Sequence, residues 1–166
     1  MKKNLLILGA GQYGQIIFET AEAMDCFDRI EFLDDQNSRA IGKLEEYAML
    51  TDSYDCAFVA MGNPQLRLEW MGKLKEAGYE LPTLIHPQGY VSKSAVLSEG
   101  CIVEPMAVVQ AGAIVEAGSL LCAGCVVNHN SIVKQGCQID CNAIVPARAI
   151  VPAMTKIPCG SVAEVL

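Results

Sequence analysis

Hydrophobic positions in the second half of the chain recur every six residues. Stepping by six from Val91 gives Leu97, Val103, Val109, Val115, Leu121, Val127, Val133, Ile139, Val145, Val151 and Ile157. Four residues after each stands a small side chain, from Ala95 and Cys101 through Cys125, Ser131 and Cys137 to Ser161. A helix repeats every 3.6 residues and an alternating strand every 2, so neither explains a period of six. One aliphatic and one small inward position per hexad is the signature of a parallel β-helix. Three hexads then make one triangular coil, with the aliphatic residue filling the prism and the small one allowing the corner. The third residue after each aliphatic is Gly100, Gly112, Gly118, Gly124, Asn130, Gly136, Asn142 or Gly160, types that tolerate positive φ. Ser94, Met106, Arg148 and Met154 interrupt this run, which predicts corners of different construction there.

Before the repeat the pattern is that of a small α/β unit. Buried strands are predicted at Asn4–Leu8, Ile30–Leu33 and Cys56–Met61, with helices from near Gln12 to about Met24 and over Gln65–Gly78. Strands alternating with helices imply a parallel sheet with right-handed crossovers. Two domains follow, residues 1–87 and 88–166. Gly9-x-Gly11-x-x-Gly14 lies between the first strand and helix, where glycines let backbone approach a phosphate at a helix N-terminus. Asp34 comes twenty residues after Gly14, in place to accept a sugar hydroxyl. The unit is about half a dinucleotide fold, so a mononucleotide or nucleotide-sugar suits it better than NAD.

Charge and cysteine usage narrow the picture further. The chain of 166 residues has net charge −7, and no basic patch points to nucleic acid. No run of eighteen apolar residues suggests a membrane span, and Lys2 and Lys3 lead straight into a strand rather than a signal peptide. A cytoplasmic protein is expected. Of eight cysteines, Cys101, Cys125 and Cys137 occupy the small inward position and read as packing residues. Cys122 and Cys125 form a lone Cys-x-x-Cys but differ in their place within the hexad, and no second pair accompanies them. Cys141 and Cys159 are one coil apart and should stack roughly 5 Å from each other. They are expected as thiols in a cytosol and can form a disulfide in an oxidising compartment. A three-histidine zinc site needs more histidines than the repeat holds, and no metal is expected.

The order of motifs resembles the bacterial nucleotide-sugar acetyltransferases of the sialic-acid and bacillosamine pathways. The residues that carry the likeness are Ile7 to Gly14, Phe32-Leu33-Asp34-Asp35, Ala60 to Arg67, and Leu84-Ile85-His86-Pro87. The resemblance implies an α/β Rossmann-like unit followed by an all-β left-handed parallel β-helix that trimerises. It implies a uridine-diphosphate amino sugar bordered by Gly11, Gln12, Tyr13, Asp34, Asp35, Gly62 and Asn63, with acetyl-CoA as acyl donor.

Departures from the family pattern bear on catalysis. The family's catalytic histidine follows an Ile-Val-Glu-type stretch and precedes an acid and a cysteine. Matched to Ile132-Val133-Lys134-Gln135-Gly136-Cys137, that place falls on Gln135, which cannot serve as a base. Tyr13 stands where family members usually have histidine, and the repeat ends after about four coils where they continue. His86, beside Pro87, reads as a junction residue. His129, between Asn128 and Asn130 in the preceding hexad, is the remaining candidate base. Two functions are compatible with this reading: an acetyltransferase acting on an amino-sugar nucleotide, or a catalytically silent trimeric nucleotide-sugar binder. Aliphatics from Val96 to Ile150 just before the inward positions predict an interface, hence a homotrimer.

Overall fold

The computed structural model describes residues 2–164, and its chain divides into two units between Pro82 and Thr83. The sequence division at 87/88 falls later because Leu84–Ile85, which looks like a connector, already pairs with Ile102–Val103 and so starts the first coil.

In the first unit, β1 (Lys3–Leu8), β2 (Phe27–Leu33) and β3 (Cys56–Val59) form a parallel sheet in the order β2-β1-β3. The central strand is apolar from Leu5 to Leu8, all fully buried, as expected of a parallel strand covered on both faces. Helix α1 (Gln12–Ala23) buries Gly14, Ile17, Thr20 and Ala21, three or four residues apart and therefore on one face. Removing the Ile17 side chain from water contributes about 1.5–3 kcal/mol. Helix α2 (Pro64–Glu76) buries Arg67, Trp70, Met71 and Leu74 by the same spacing. Asn63 starts it: its side chain accepts from the Leu66 N–H at 2.9 Å, while Pro64 fills the first turn, where no N–H is needed. A 3-10 helix at Leu44–Met49, which no sequence periodicity announced, lies between β2 and β3.

The second unit is a left-handed β-helix of two-residue strands in three sheets. One sheet stacks β4 (Leu84–Ile85), β7 (Ile102–Val103), β10 (Leu120–Leu121), β13 (Gln138–Ile139) and β16 (Lys156–Ile157). The second contains β5 (Tyr90–Val91), β8 (Val108–Val109), β11 (Val126–Val127) and β14 (Ile144–Val145). The third contains β6 (Val96–Leu97), β9 (Ile114–Val115), β12 (Ile132–Val133) and β15 (Ile150–Val151). Each strand from β4 to β13 pairs with the one eighteen residues on, as Val109 pairs with Val127 and Val127 with Val145. The second residue of each pair points inward, and Val103, Val109, Val115, Leu121, Val127, Val133, Ile139 and Val145 are fully buried. The small positions Cys101, Ala107, Ala113, Cys125, Cys137 and Ala143 complete that core.

Corner geometry corrects one expectation. All eight glycine and asparagine corners named from the sequence have φ between 56° and 70°. Met106, Arg148 and Met154 adopt the same left-handed conformation, with φ of 62°, 62° and 59°, so these corners are not built differently. Strand pairing on either side dictates the corner, and the side chain bears the local cost, about 1–2 kcal/mol for a residue with a Cβ.

The outward positions also differ from expectation on one face. Ile102 and Leu120 are buried within the chain, whereas Val96, Ile114, Ile144 and Ile150 are 39–58% exposed. The exposed outward aliphatics of the strands thus lie on the second and third sheets.

Candidate functional site

The three fingerprint glycines answer to different causes. A Cβ on Gly9, whose φ is +107°, would lie 2.9 Å from the carbonyl oxygen of Ala60. One on Gly14 would collide with the carbonyl of Gly9, so both residues are required by packing of strand against helix. Gly11 is neither strained nor crowded. It caps α1 with φ −74°, is exposed, and a Cβ there would meet nothing within 4 Å. Gly62, past the end of β3, is likewise exposed and uncrowded. Gly9, Gly11, Asp34, Asp35, Gln36, Leu44, Ala60, Met61 and Leu66 line an open recess of about 400 Å³ at the C-terminal edge of the sheet. An open parallel α/β sheet receives ligands at that edge.

Asp34 is largely committed to the protein itself. One carboxylate oxygen accepts the Ala10 N–H at 2.8 Å; the other accepts from Gln36 and Asn37, each at 2.9 Å. The Asn37 side chain donates in turn to the Ala10 carbonyl at 2.6 Å. The donated N–H bonds, that of Ala10 first, hold the Asp34 carboxyl below its ordinary pKa despite partial burial. Asp34 therefore ties the β1–α1 turn to the segment after β2. Asp35 is more exposed and accepts the Leu44 N–H through one oxygen at 3.1 Å. Gln12 is exposed at the start of α1, and Tyr13 is half-buried beside it. Arg67, almost fully buried, donates to the carbonyls of Met61 and Gly62 at 2.6 and 3.2 Å, fixing the turn that follows β3. Asn63 spends its oxygen on the α2 cap and keeps its amide N–H groups for other partners.

His129 lies at the corner between β11 and β12, half-buried. Its backbone N–H donates to the Asn128 side chain at 2.8 Å, and its Nδ1 is 3.3 Å from the Asn130 amide nitrogen. The eighteen-residue register stacks Ala111 and Ala147 on either side of it, so small residues flank the imidazole along the prism. Linear sequence conceals those neighbours, and only the coil length reveals them. Gln135 lies at the next corner, exposed, its N–H donating to Glu116 at 3.2 Å. That Glu116 carboxylate also pairs with Lys134 at 2.8 Å, which holds its pKa low. His129 and Gln135 thus belong to separate corners. His86 accepts the Gln88 N–H through Nδ1 at 3.1 Å, closing the turn into β5.

Residues 4–74 match the family described as the PglD N-terminal domain. UDP-N-acetylbacillosamine N-acetyltransferase of Bacillus subtilis (strain 168) is 33% identical over 110 residues, 61% of this chain and 51% of that protein. The chain thus spans about half the length of that curated relative. Among solved structures, the acetyltransferase domain of PglB from Neisseria gonorrhoeae FA1090, in complex with acetyl coenzyme A, superposes with a TM-score of 0.94 at 28% identity. That match covers 98% of this chain and 82% of the other. PerB from Caulobacter crescentus, in complex with CoA and GDP-perosamine, matches with a TM-score of 0.62 at 22% identity over 92% of this chain and 90% of its own. The likeness to nucleotide-sugar acetyltransferases, the β-helix read from the hexads and the left hand that the resemblance implied are all borne out.

Proposed function

We propose that this chain, a relative of the hexapeptide-repeat nucleotide-sugar acetyltransferases by fold and by sequence, binds a uridine-diphosphate amino sugar and acetylates it from acetyl-CoA. Gly11 carries the first half of this reading. It is a glycine that neither packing nor backbone strain requires, at the N-terminus of α1 and on the rim of the recess. A phosphate approaching the α1 N–H groups needs that empty space. Gln12 and Tyr13 border the phosphates, Asp35 faces the ribose or base, and Gly62 and Asn63, next in the chain after the lining residues Ala60 and Met61, border the sugar. Asp34 acts by holding the turn in shape.

His129 is the base in this scheme. The acceptor nitrogen attacks the thioester carbonyl, His129 takes the proton released, and the CoA thiolate leaves as the acetyl carbon–sulfur bond breaks. A positioned base contributes roughly 10²–10⁴-fold to such a step. The second reading, a silent nucleotide-sugar binder, draws on one observation: the Asn130 amide nitrogen lies 3.3 Å from His129 Nδ1. With that nitrogen as the donor, Nδ1 accepts and a neutral ring carries its proton on Nε2. Turning the Asn130 carboxamide over would present its oxygen to Nδ1–H and free Nε2 as the base.

The exposed aliphatic columns of the second and third sheets support a homotrimer. Among the described residues no helix is long and apolar enough to cross a membrane, and a cytoplasmic setting is the one in which nucleotide-sugars and acetyl-CoA would be met. Calorimetry with UDP-sugars tests the binding half. Gly11→Leu should fold as the parent does and lose binding, because nothing in the protein occupies that space. Tight NAD binding with none for uridine nucleotides would overturn the reading. Sedimentation at micromolar concentration should give a trimer, and a stable monomer would refute that part.

A further inference from the structure

The corner between β13 and β14 and the one after β16 bring together three side chains that linear sequence keeps apart. Asp140, Cys141 and Cys159 offer one carboxylate oxygen and two sulfurs, all within 4.8 Å of one another. Pairing of Gln138 with Lys156 and of Ile139 with Ile157 sets this arrangement, since it places residue 159 one coil from residue 141. The Asp140 carboxylate is engaged from several sides. It accepts the Cys141 N–H at 3.0 Å and pairs with Lys156 at 3.0 Å, and the Cys159 sulfur lies within 4.8 Å of it. Cys122 and Glu104 occupy the same column as Asp140, at successive steps of eighteen, and both are buried. Negative charge and sulfur therefore gather along one edge of the prism, with the Lys156 ammonium paired to Asp140.

We propose that Asp140, Cys141 and Cys159 form a binding site for a thiophilic divalent cation such as zinc, clipping the last two coils together. Two sulfurs and one carboxylate suit a borderline-soft ion of tetrahedral preference, and the half-exposed position leaves the fourth place to water. Two thiols and a carboxylate converging on one point is an arrangement in which an ion can replace the thiol protons. On binding, the two thiols release two protons to solvent, the carboxylate is already ionised, and the donors close by about 1 Å to reach bonding distance. Lys156 opposes the cation and has to swing away from Asp140.

The competing chemistry at this place is a disulfide. Oxidation by hydrogen peroxide would join the two sulfurs, remove two hydrogens and reduce the peroxide to water. The Asp140 carboxylate, within 4.8 Å of both sulfurs, is a third donor that a disulfide would not use, and that favours the metal. Titrating the reduced full-length chain with cadmium and cobalt(II) tests it, read by the ultraviolet thiolate-to-metal band and the visible cobalt spectrum. The expected result is one equivalent bound with two protons released. The bands should be lost in Cys141→Ser and in Cys159→Ser, weakened at least about tenfold in Asp140→Asn, and unaffected by Cys26→Ser. Lys156→Ala should tighten binding by up to about fivefold, the worth of an exposed pair. Melting of each metal-free variant close to that of the parent shows that the fold is retained. Bands that survive both cysteine substitutions overturn the site. So does a reduced chain that takes up no metal, including one that only loses two hydrogens on peroxide treatment.

Discussion

Asn130 stands one coil from Gly112, its carboxamide oxygen occupying the space that a Cβ on the glycine would need. The asparagine backbone N–H donates to the neighbouring Ala111 carbonyl at 3.0 Å, so the two corners are locked together. Gly124 and Asn142 repeat the relationship twelve residues on, at the next corner of this kind. Gly112→Ala should therefore destabilise the protein by about 2–3 kcal/mol, the left-handed cost plus displacement of Asn130. Gly72→Ala, exposed inside α2 with nothing within 4 Å, should stabilise it by about 0.5–1 kcal/mol. Chemical denaturation of the two variants, compared with the parent, checks both signs.

Met106 holds a left-handed corner at φ 62° with its side chain 67% exposed. Met106→Asn keeps the conformation, removes part of a strain of about 1–2 kcal/mol, and exposes less apolar surface. A rise in Tm is expected. Met106→Gly should gain less, because the added freedom of the unfolded chain costs about 0.5–1 kcal/mol.

Asp34 links stability to pH. Its folded carboxyl lies below the ordinary value of 3.8, because the Ala10, Gln36 and Asn37 N–H groups favour the charged form. The contribution is present in full above the unfolded value and is lost as pH falls through the folded one. Asp34→Asn should melt earlier than the parent at neutral pH, and the two curves should converge as the solution becomes acidic. A gap that persists unchanged into acid would show that the charge is not what Asp34 supplies.

His129→Ala should lower kcat for acetyl transfer by roughly 10²–10⁴-fold, while nucleotide-sugar affinity stays near that of the parent. Gln135→Ala should leave both unchanged. Asn130→Asp tests the tautomer, since a carboxylate accepts only from Nδ1–H and so frees Nε2. Its rate should exceed that of the parent, and aspartate tolerates the left-handed corner that Asn130 occupies at φ 57°. Steady-state kinetics with a UDP-amino sugar and acetyl-CoA measures all three.

How much of this was legible beforehand depends on range. The prism was written in the hexads, because each strand repeats the same inward pair and a period of six admits few packings. The sheet and both helices of the first unit followed from apolar runs and from the glycines between them. The left-handed corners at Met106, Arg148 and Met154 were not legible, because side-chain preference is overridden there by strand pairing on both sides. The role of Asp34 was half legible: its distance from Gly14 marked it, but its bonds to Gln36 and Asn37 depend on a turn with no periodicity. The Asp140, Cys141 and Cys159 grouping escaped the usual test for metal spacing, which counts residues between ligands along the chain. Here the relevant distance is one full coil.

A register of eighteen makes the β-helix a ruler for insertions. Adding or removing eighteen residues returns every later side chain to its own face, so His129 and the Cys141 column would keep their edges of the prism. Adding six turns all that follows by one third of a revolution, moving exposed aliphatics from one sheet to the next. Length variation among proteins of this architecture is thereby sorted into changes that only extend the prism and changes that rewire which surface meets a neighbour.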